Sequence, residues 1–307
     1  VQTCALPICK VPINFHNVGI LYRNLFDDNV DYYNSITTEH QFQKLTESNK
    51  PNNAFRKGIY ITKVAQNNDN DLEFNLLRCS TNLNGPTDNL RKTDKYILDK
   101  LNYTSKYLFE NNTELNHVLA QTYENSKIKS FYYYYMIFIN LLCWFFFEKE
   151  YYDLADTNKQ IKERKAKISA HSDKTKDMPR NGLMAFCSFY NKNELVESKK
   201  STNDEFDYVY KGTSVLTRLK FRLKECVNNP NLKQQFDVIL YPNSVFIMSL
   251  NANRLYTHEI VPSVLNAENI PTRMGYVIRC SNRNAIYKNN KTYIIENRNG
   301  EIGRAHV

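Results

Sequence analysis

From Lys165 onward the chain alternates short strand-like runs with polar loops, and no β-α-β alternation is visible. The runs Lys167 to Ser169, Leu183 to Tyr190, Phe236 to Tyr241, Val245 to Leu250 and Tyr276 to Arg279 carry the β-branched and aromatic residues that suit strands. This pattern predicts an antiparallel sandwich or barrel. Only 8 glycines occur, and neither G-x-x-x-x-G-K nor G-x-G-x-x-G is present, which argues against a nucleotide-binding α/β fold.

Residues 9–115 read as an N-terminal extension. It contains strands such as Gly58 to Val64 and an amphipathic helix over Leu90 to Phe109, where Ile97, Leu101 and Leu108 recur at near-helical spacing with charges between them. Residues 116–300 form the main predicted domain, with an insertion over 125–160. The ends, Val1 to Ile8 and Glu301 to Val307, resemble translated sequencing adapter and are set aside from the fold. Phe131 to Phe147 is the one candidate membrane span, but its 17 residues include four Tyr and an Asn, too short and too polar to cross. It reads as a buried strand or helix of the insertion or as a retained non-coding stretch, and no membrane partner is expected.

The net charge of +9 favours an anionic partner such as nucleic acid, although Lys and Asn are abundant along the whole chain. The seven cysteines form no C-x-x-C pair, which is the usage of a reducing compartment, so the protein is expected inside the cell, in cytoplasm or nucleus. Cys187 and Cys280 lie in strand patterns and read as small core residues. Oligomeric state is left open by the sequence.

His171-Ser-Asp173 ends one predicted strand, and the two-residue period puts imidazole and carboxylate on one face, within reach of a shared metal. His258, after a further strand, could supply a third ligand. Two histidines and one carboxylate make the facial triad of non-haem Fe(II) oxygenases, which leaves positions open for a chelating co-substrate and O2. Such a co-substrate needs a cation for its far carboxylate. Arg273 follows His258 by 15 residues and offers the planar fork that a carboxylate requires. Arg279 lies an even number of residues further on, hence on the same side of a regular strand.

These residues resemble the AlkB-like 2-oxoglutarate and Fe(II)-dependent dioxygenases. The run Lys165 to Lys174, KAKISAHSDK, is similar to that family's A-K-L-S-L-H-x-D-K strand; Arg254 to His258, RLYTH, is similar to its R-L-x-x-H; Arg273 and Arg279 match its R-x5-R. The resemblance covers about residues 120–280 and implies a mainly β, α+β fold with supporting helices around a double-stranded β-helix (jelly-roll) core. It implies that His171, Asp173 and His258 hold Fe(II) and that Arg273 and Arg279 engage 2-oxoglutarate, the co-substrate consumed with O2. Leu119 to Tyr123, LAQTY, resembles the family's L-x-N-x-Y with Gln121 in place of Asn, making Tyr123 a further 2-oxoglutarate contact; the other reading is a helix face of Leu115, Val118, Leu119 and Thr122 with Tyr123 merely packed. Gly275 stands where the family has Asn.

The resemblance and the charge together imply an enzyme that oxidises or demethylates nucleic-acid bases. The alternatives are a hydroxylase of protein side chains on the same core and a non-catalytic nucleic-acid-binding module. The loop Lys174 to Arg180 could grip phosphates or orient a base through Asp177, or be a solvated hairpin loop. Asn82 to Arg91 could form part of a lid, or be an ordinary loop.

Overall fold

The computed structural model describes residues 11–47, 56–78, 81–82, 87–109, 113–127, 163–295 and 302–304. Two antiparallel sheets form the core. The strands that build them are β1 (Ile13–Phe15), β2 (Gly19–Tyr22), β3 (Gln43–Lys44), β4 (Arg56–Thr62), β5 (Asp88–Asn89), β6 (His117–Tyr123), β7 (Ile168–His171), β8 (Leu183–Tyr190), β9 (Arg218–Leu223), β10 (Gln235–Ile239), β11 (Ser244–Ser249), β12 (Tyr256–Val261) and β13 (Arg273–Arg279). The larger sheet has nine strands in the order β1-β2-β11-β8-β13-β6-β4-β3, with β5 paired parallel to β4. The smaller has four, in the order β7-β12-β9-β10. The fold is mainly β, a double-stranded β-helix (jelly-roll) core with supporting helices.

Both faces of the large sheet are covered, which is why its central strands read as unbroken apolar runs rather than as alternation. All eight residues of β8 are buried. Met184, Phe186 and Tyr190 point to the inner core, where they meet Phe246 of β11 and Leu219, Phe221, Val238, Tyr256 and Ile260 of the small sheet. Leu183, Ala185, Cys187 and Phe189 point the other way, against helices α1 (Tyr32–Glu39) and α2 (Lys92–Ser105), through Tyr32, Ile36, Ile97, Leu98 and Leu101. Apolar burial on this scale, at roughly 25 cal/mol per Å², drives the packing of the two layers. At the start of helix α2 the Arg91 N–H donates to the Asp94 carboxylate at 2.7 Å, so an N3 side chain ties back to the N-cap backbone. It lies within the span predicted for the amphipathic helix.

Strand β9 went unread in the sequence although its alternation is clean, with Leu219 and Phe221 buried and Arg218, Lys220 and Arg222 turned outward. Residues 117–123 form a strand, fully buried, so the helix-face alternative for Leu119 to Tyr123 does not hold. Asn253 to Leu255 belong to a short helix, α3 (Leu250–Leu255), and His258 lies within β12 rather than after a strand.

The candidate span 131–147 falls outside the described residues, as does most of the insertion predicted over 125–160. Its described flanks meet: Ser126–Lys127 pairs antiparallel with Glu163–Arg164, and the Ala166 N–H donates to Asn125 Oδ1 at 3.0 Å. The chain thus leaves and rejoins the core at one place. Among the described residues, no helix is long and apolar enough to cross a membrane. Beside the core, Leu72–Leu76, Arg283–Lys288 and Lys291–Ile295 belong to a small five-stranded sheet that also takes in Val64–Gln66 and Ile302–Arg304.

Candidate metal centre

The small sheet ends on β7, whose register sets His171 directly opposite His258 of β12. Directly paired residues of an antiparallel ladder point to the same face, and the two imidazole centroids lie 4.5 Å apart. His258 is buried, walled by the rings of Phe186 at 5.3 Å and Phe221 at 6.0 Å, whereas the His171 side chain keeps 35% exposure at the sheet edge. Asp173, two residues beyond His171, brings Oδ1 to 3.4 Å from His171 Nε2 and 3.9 Å from His258 Nε2. All three donor atoms lie within 4.8 Å of one another. Ligands about 2 Å from one ion sit roughly 3 to 3.5 Å apart, so the donor set fits a small transition-metal ion.

Tautomers and charge agree with that use. The Nδ1–H of His171 donates to the Ser169 carbonyl at 2.8 Å, which leaves Nε2, turned toward Asp173, as the atom that can bind a metal once it gives up its proton. Burial pushes the pKa of His258 down to about 4, with His171 and Arg279 adding to the effect and Asp173 opposing it. His258 is therefore neutral near pH 7, the form that binds a metal. Burial alone would raise the pKa of Asp173, but Arg279, whose Nε lies 3.2 Å from Oδ2, together with both histidines holds it well below the usual carboxylate range. Burial alone would lower His171; the hydrogen bond to Asp173, the charge of that carboxylate and the Ser169 carbonyl together outweigh it and raise it above the ordinary value.

One positioning residue escaped the sequence reading. Asn253 on α3 accepts from the Asp173 N–H at 3.0 Å through Oδ1 and donates from Nδ2 to the Asp173 carbonyl at 3.1 Å. This two-point clamp fixes the backbone carrying the carboxylate. Its only sequence signal was an Asn five residues before His258.

The two arginines share the inner face of β13, as the even spacing predicts. Rows across the sheet run Tyr123–Arg273–Tyr190, Gln121–Gly275–Ser188 and His117–Arg279–Met184. Arg273 is 2% exposed, its guanidinium carbon 4.2 Å from the Tyr123 ring centroid and its Nη1 3.3 Å from Ser188 Oγ. Its Nε and Nη2 have no hydrogen-bond partner. The guanidinium folds back along the strand over Gly275, where an added Cβ would stand 3.2 Å from Nη1 and 3.0 Å from the Tyr123 ring. The Tyr123 hydroxyl is 3.1 Å from Gln121 Oε1, to which it donates.

Asp177 is not available to orient a base. It is buried, and its carboxylate accepts from the Arg78 backbone N–H at 2.8 Å and from Arg78 Nε at 2.9 Å, with Nη2 on the second oxygen. Lys174, Lys176 and Arg180 of the same loop are exposed. Of the stretch 82–91, residues 83–86 lie outside the described residues, and Asp88–Asn89 is fixed to β4. Cys187 is buried in the outer core; Cys280 Sγ accepts from the Leu183 N–H at 3.4 Å.

No protein-family model matches the chain, and no curated protein matches it. Among solved structures it is similar to a selenomethionine-labelled Fe(II)/α-ketoglutarate-dependent dioxygenase, TqaL, at 7% identity and a TM-score of 0.31, over 85% of this chain and 76% of that one. At that distance the functional reading rests on the site's own geometry.

Proposed function

We propose that the protein is an Fe(II)/2-oxoglutarate-dependent dioxygenase that oxidises or demethylates nucleic-acid bases. The observation that carries this reading is the pairing, inside one jelly roll, of a His171–Asp173–His258 donor set with a buried Arg273 whose Nε and Nη2 lack partners. A buried cation without a counter-charge is costly, so Arg273 is suited to an anionic ligand bound on the same inner side of the large sheet as the donor set. 2-Oxoglutarate has the chemistry required: one end chelates a metal, and the other is a carboxylate.

Bound iron would supply activation of O2, coupled to decarboxylation of the co-substrate, for attack on a C–H bond. The chain's own residues provide the setting. His171, Asp173 and His258 would hold the metal. Arg273, stacked on Tyr123 and steadied by Ser188, would receive the far carboxylate through a fork geometry that Lys could not reproduce. Arg279 keeps Asp173 ionised. Phe186 and Phe221 exclude water behind His258, while His171 faces the mouth. The exposed Lys174, Lys176 and Arg180 favour a polyanionic substrate over a neutral peptide.

The test is anaerobic titration of the protein with Fe(II) and 2-oxoglutarate, following the weak visible charge-transfer band of the chelate. The band is expected in wild type, lost in His171→Ala and weakened in Arg273→Ala. A folded wild type with no band would end the catalytic reading. Formaldehyde release from N-methylated oligonucleotides, set against methylated peptides, then separates nucleic-acid from protein substrates.

A further inference from the structure

Helix α2 covers the large sheet on the face opposite the metal centre, and its outer surface is unusual. Of the seven large apolar or aromatic side chains exposed among the described residues, three fall on one line of this helix and its C-terminal turn: Tyr96 at 46%, Tyr103 at 61% and Tyr107 at 74%. Spacings of seven and four residues bring them to one helical face, about 10 and 16 Å along the axis from the first ring. The rings are held in place: Tyr96 stacks on Tyr32 at 6.3 Å and 19°, and Tyr103 meets Tyr107 edge-on at 5.1 Å. Lys92, Lys95, Lys100 and Lys106 flank the line, and Asp99 is the one acidic residue that the helix itself exposes, Asp94 being buried beneath it.

We infer that this face binds single-stranded nucleic acid. Exposed flat rings make a stacking platform that accepts any base, and the flanking lysines meet the phosphates that such a strand carries alongside. A duplex keeps its base faces stacked and offers them nothing. The surface lies on the other side of the sheet from Arg273 and His171, so it would act as a separate tether, and it does not depend on the iron reading.

The test is fluorescence anisotropy of the full chain with a labelled twelve-residue oligothymidylate, an oligouridylate and a duplex of equal length. Wild type is expected to bind both single strands. Tyr103→Ala/Tyr107→Ala, at exposed positions where folding is checked by circular dichroism, should weaken that binding at least about tenfold and leave weak duplex binding unchanged. Lys100→Gln/Lys106→Gln should flatten the salt dependence by about one unit of slope, while His171→Ala binds as wild type does. Failure of wild type to bind single strands, unchanged binding in the tyrosine variant, or tyrosine-dependent capture of a poly-glutamate peptide in place of the oligonucleotides would each overturn the inference.

Discussion

Two His–carboxylate clusters lie on either side of the large sheet, and they differ in how far their donor atoms are already engaged. His171, Asp173 and His258 lie on the inner side, between the two sheets; Glu39, His40 and Asp94 sit behind the large sheet, between α1 and α2. Both bring donor atoms within 4.8 Å of one another. The difference lies in what the lone pairs already do. Both ring nitrogens of His40 face carboxylate oxygens, Asp88 and Asp94, at 2.8 Å each, so both are already engaged in hydrogen bonds. Asp94 also accepts from the Tyr276 hydroxyl at 2.6 Å and from the Arg91 N–H at 2.7 Å. That cluster is a closed network joining α1, α2 and β13. In the inner cluster one carboxylate is shared among three basic side chains, and each histidine keeps Nε2 toward the common centre. Proximity of the right residue types is thus insufficient; unused valence separates a binding site from a structural one.

The comparison can be broken by exchanging the damage. Asp94→Ala strips the outer network of its hub and leaves Tyr276 without its acceptor, at an expected cost of ~3–5 kcal/mol in denaturant unfolding, with Fe(II) affinity of the folded protein unchanged. His171→Ala is expected to do the reverse, losing the metal for ~1 kcal/mol or less of stability. If iron binding fell with Asp94→Ala in folded protein, the two clusters would not be separable.

A smaller effect appears with pH, in opposite directions on the two faces. For His40, burial would lower the pKa, but Asp94 and Asp88 raise it above 6.5. Its stabilisation is complete below about pH 6.5 and is lost as pH rises through the raised folded value. His258 is depressed from 6.5 to about 4, so the unfolded chain takes up its proton first, and stability falls as pH drops through that window. Denaturant midpoints of the iron-free protein measured from pH 4 to 9 should therefore decline at both ends. His40→Gln should remove part of the alkaline decline and leave the acid one. Retention of the full alkaline decline would show that His40 is not the group responsible.

The smallest expected change is at Gly275→Ala. The new methyl would press on Arg273 and the Tyr123 ring, shifting the fork that receives the carboxylate. 2-Oxoglutarate affinity should drop about fivefold, roughly 1 kcal/mol, with Fe(II) affinity intact. Equal weakening of both would place the disturbance at the metal instead.

How far the sequence reached depends on how local each signal is. The two arginines on one side of β13 follow from the period of two, and His171 with Asp173 from a two-residue step. The central strands stand out as apolar runs because they are buried on both faces; β9 carries the other strand signal, Leu219 and Phe221 alternating with Arg218, Lys220 and Arg222, which a reading of apolar runs does not register. Asp177 was read as a possible base contact because nothing near it in sequence reveals that Arg78, 99 residues earlier, occupies it. Asn253 was passed over for a similar reason, since its partner Asp173 is 80 residues away.

The sequence by itself determined the strand-rich class, the facing arginines and the residue types able to hold a metal, because these depend on backbone periodicity and side-chain chemistry. The tertiary structure decided which of two His–carboxylate groups keeps open lone pairs, and that Arg273 lies buried over Gly275 with two of its nitrogens unpartnered. Hydrogen-bond partners and desolvation come from strands and helices distant along the chain, and only packing brings them to the same atom.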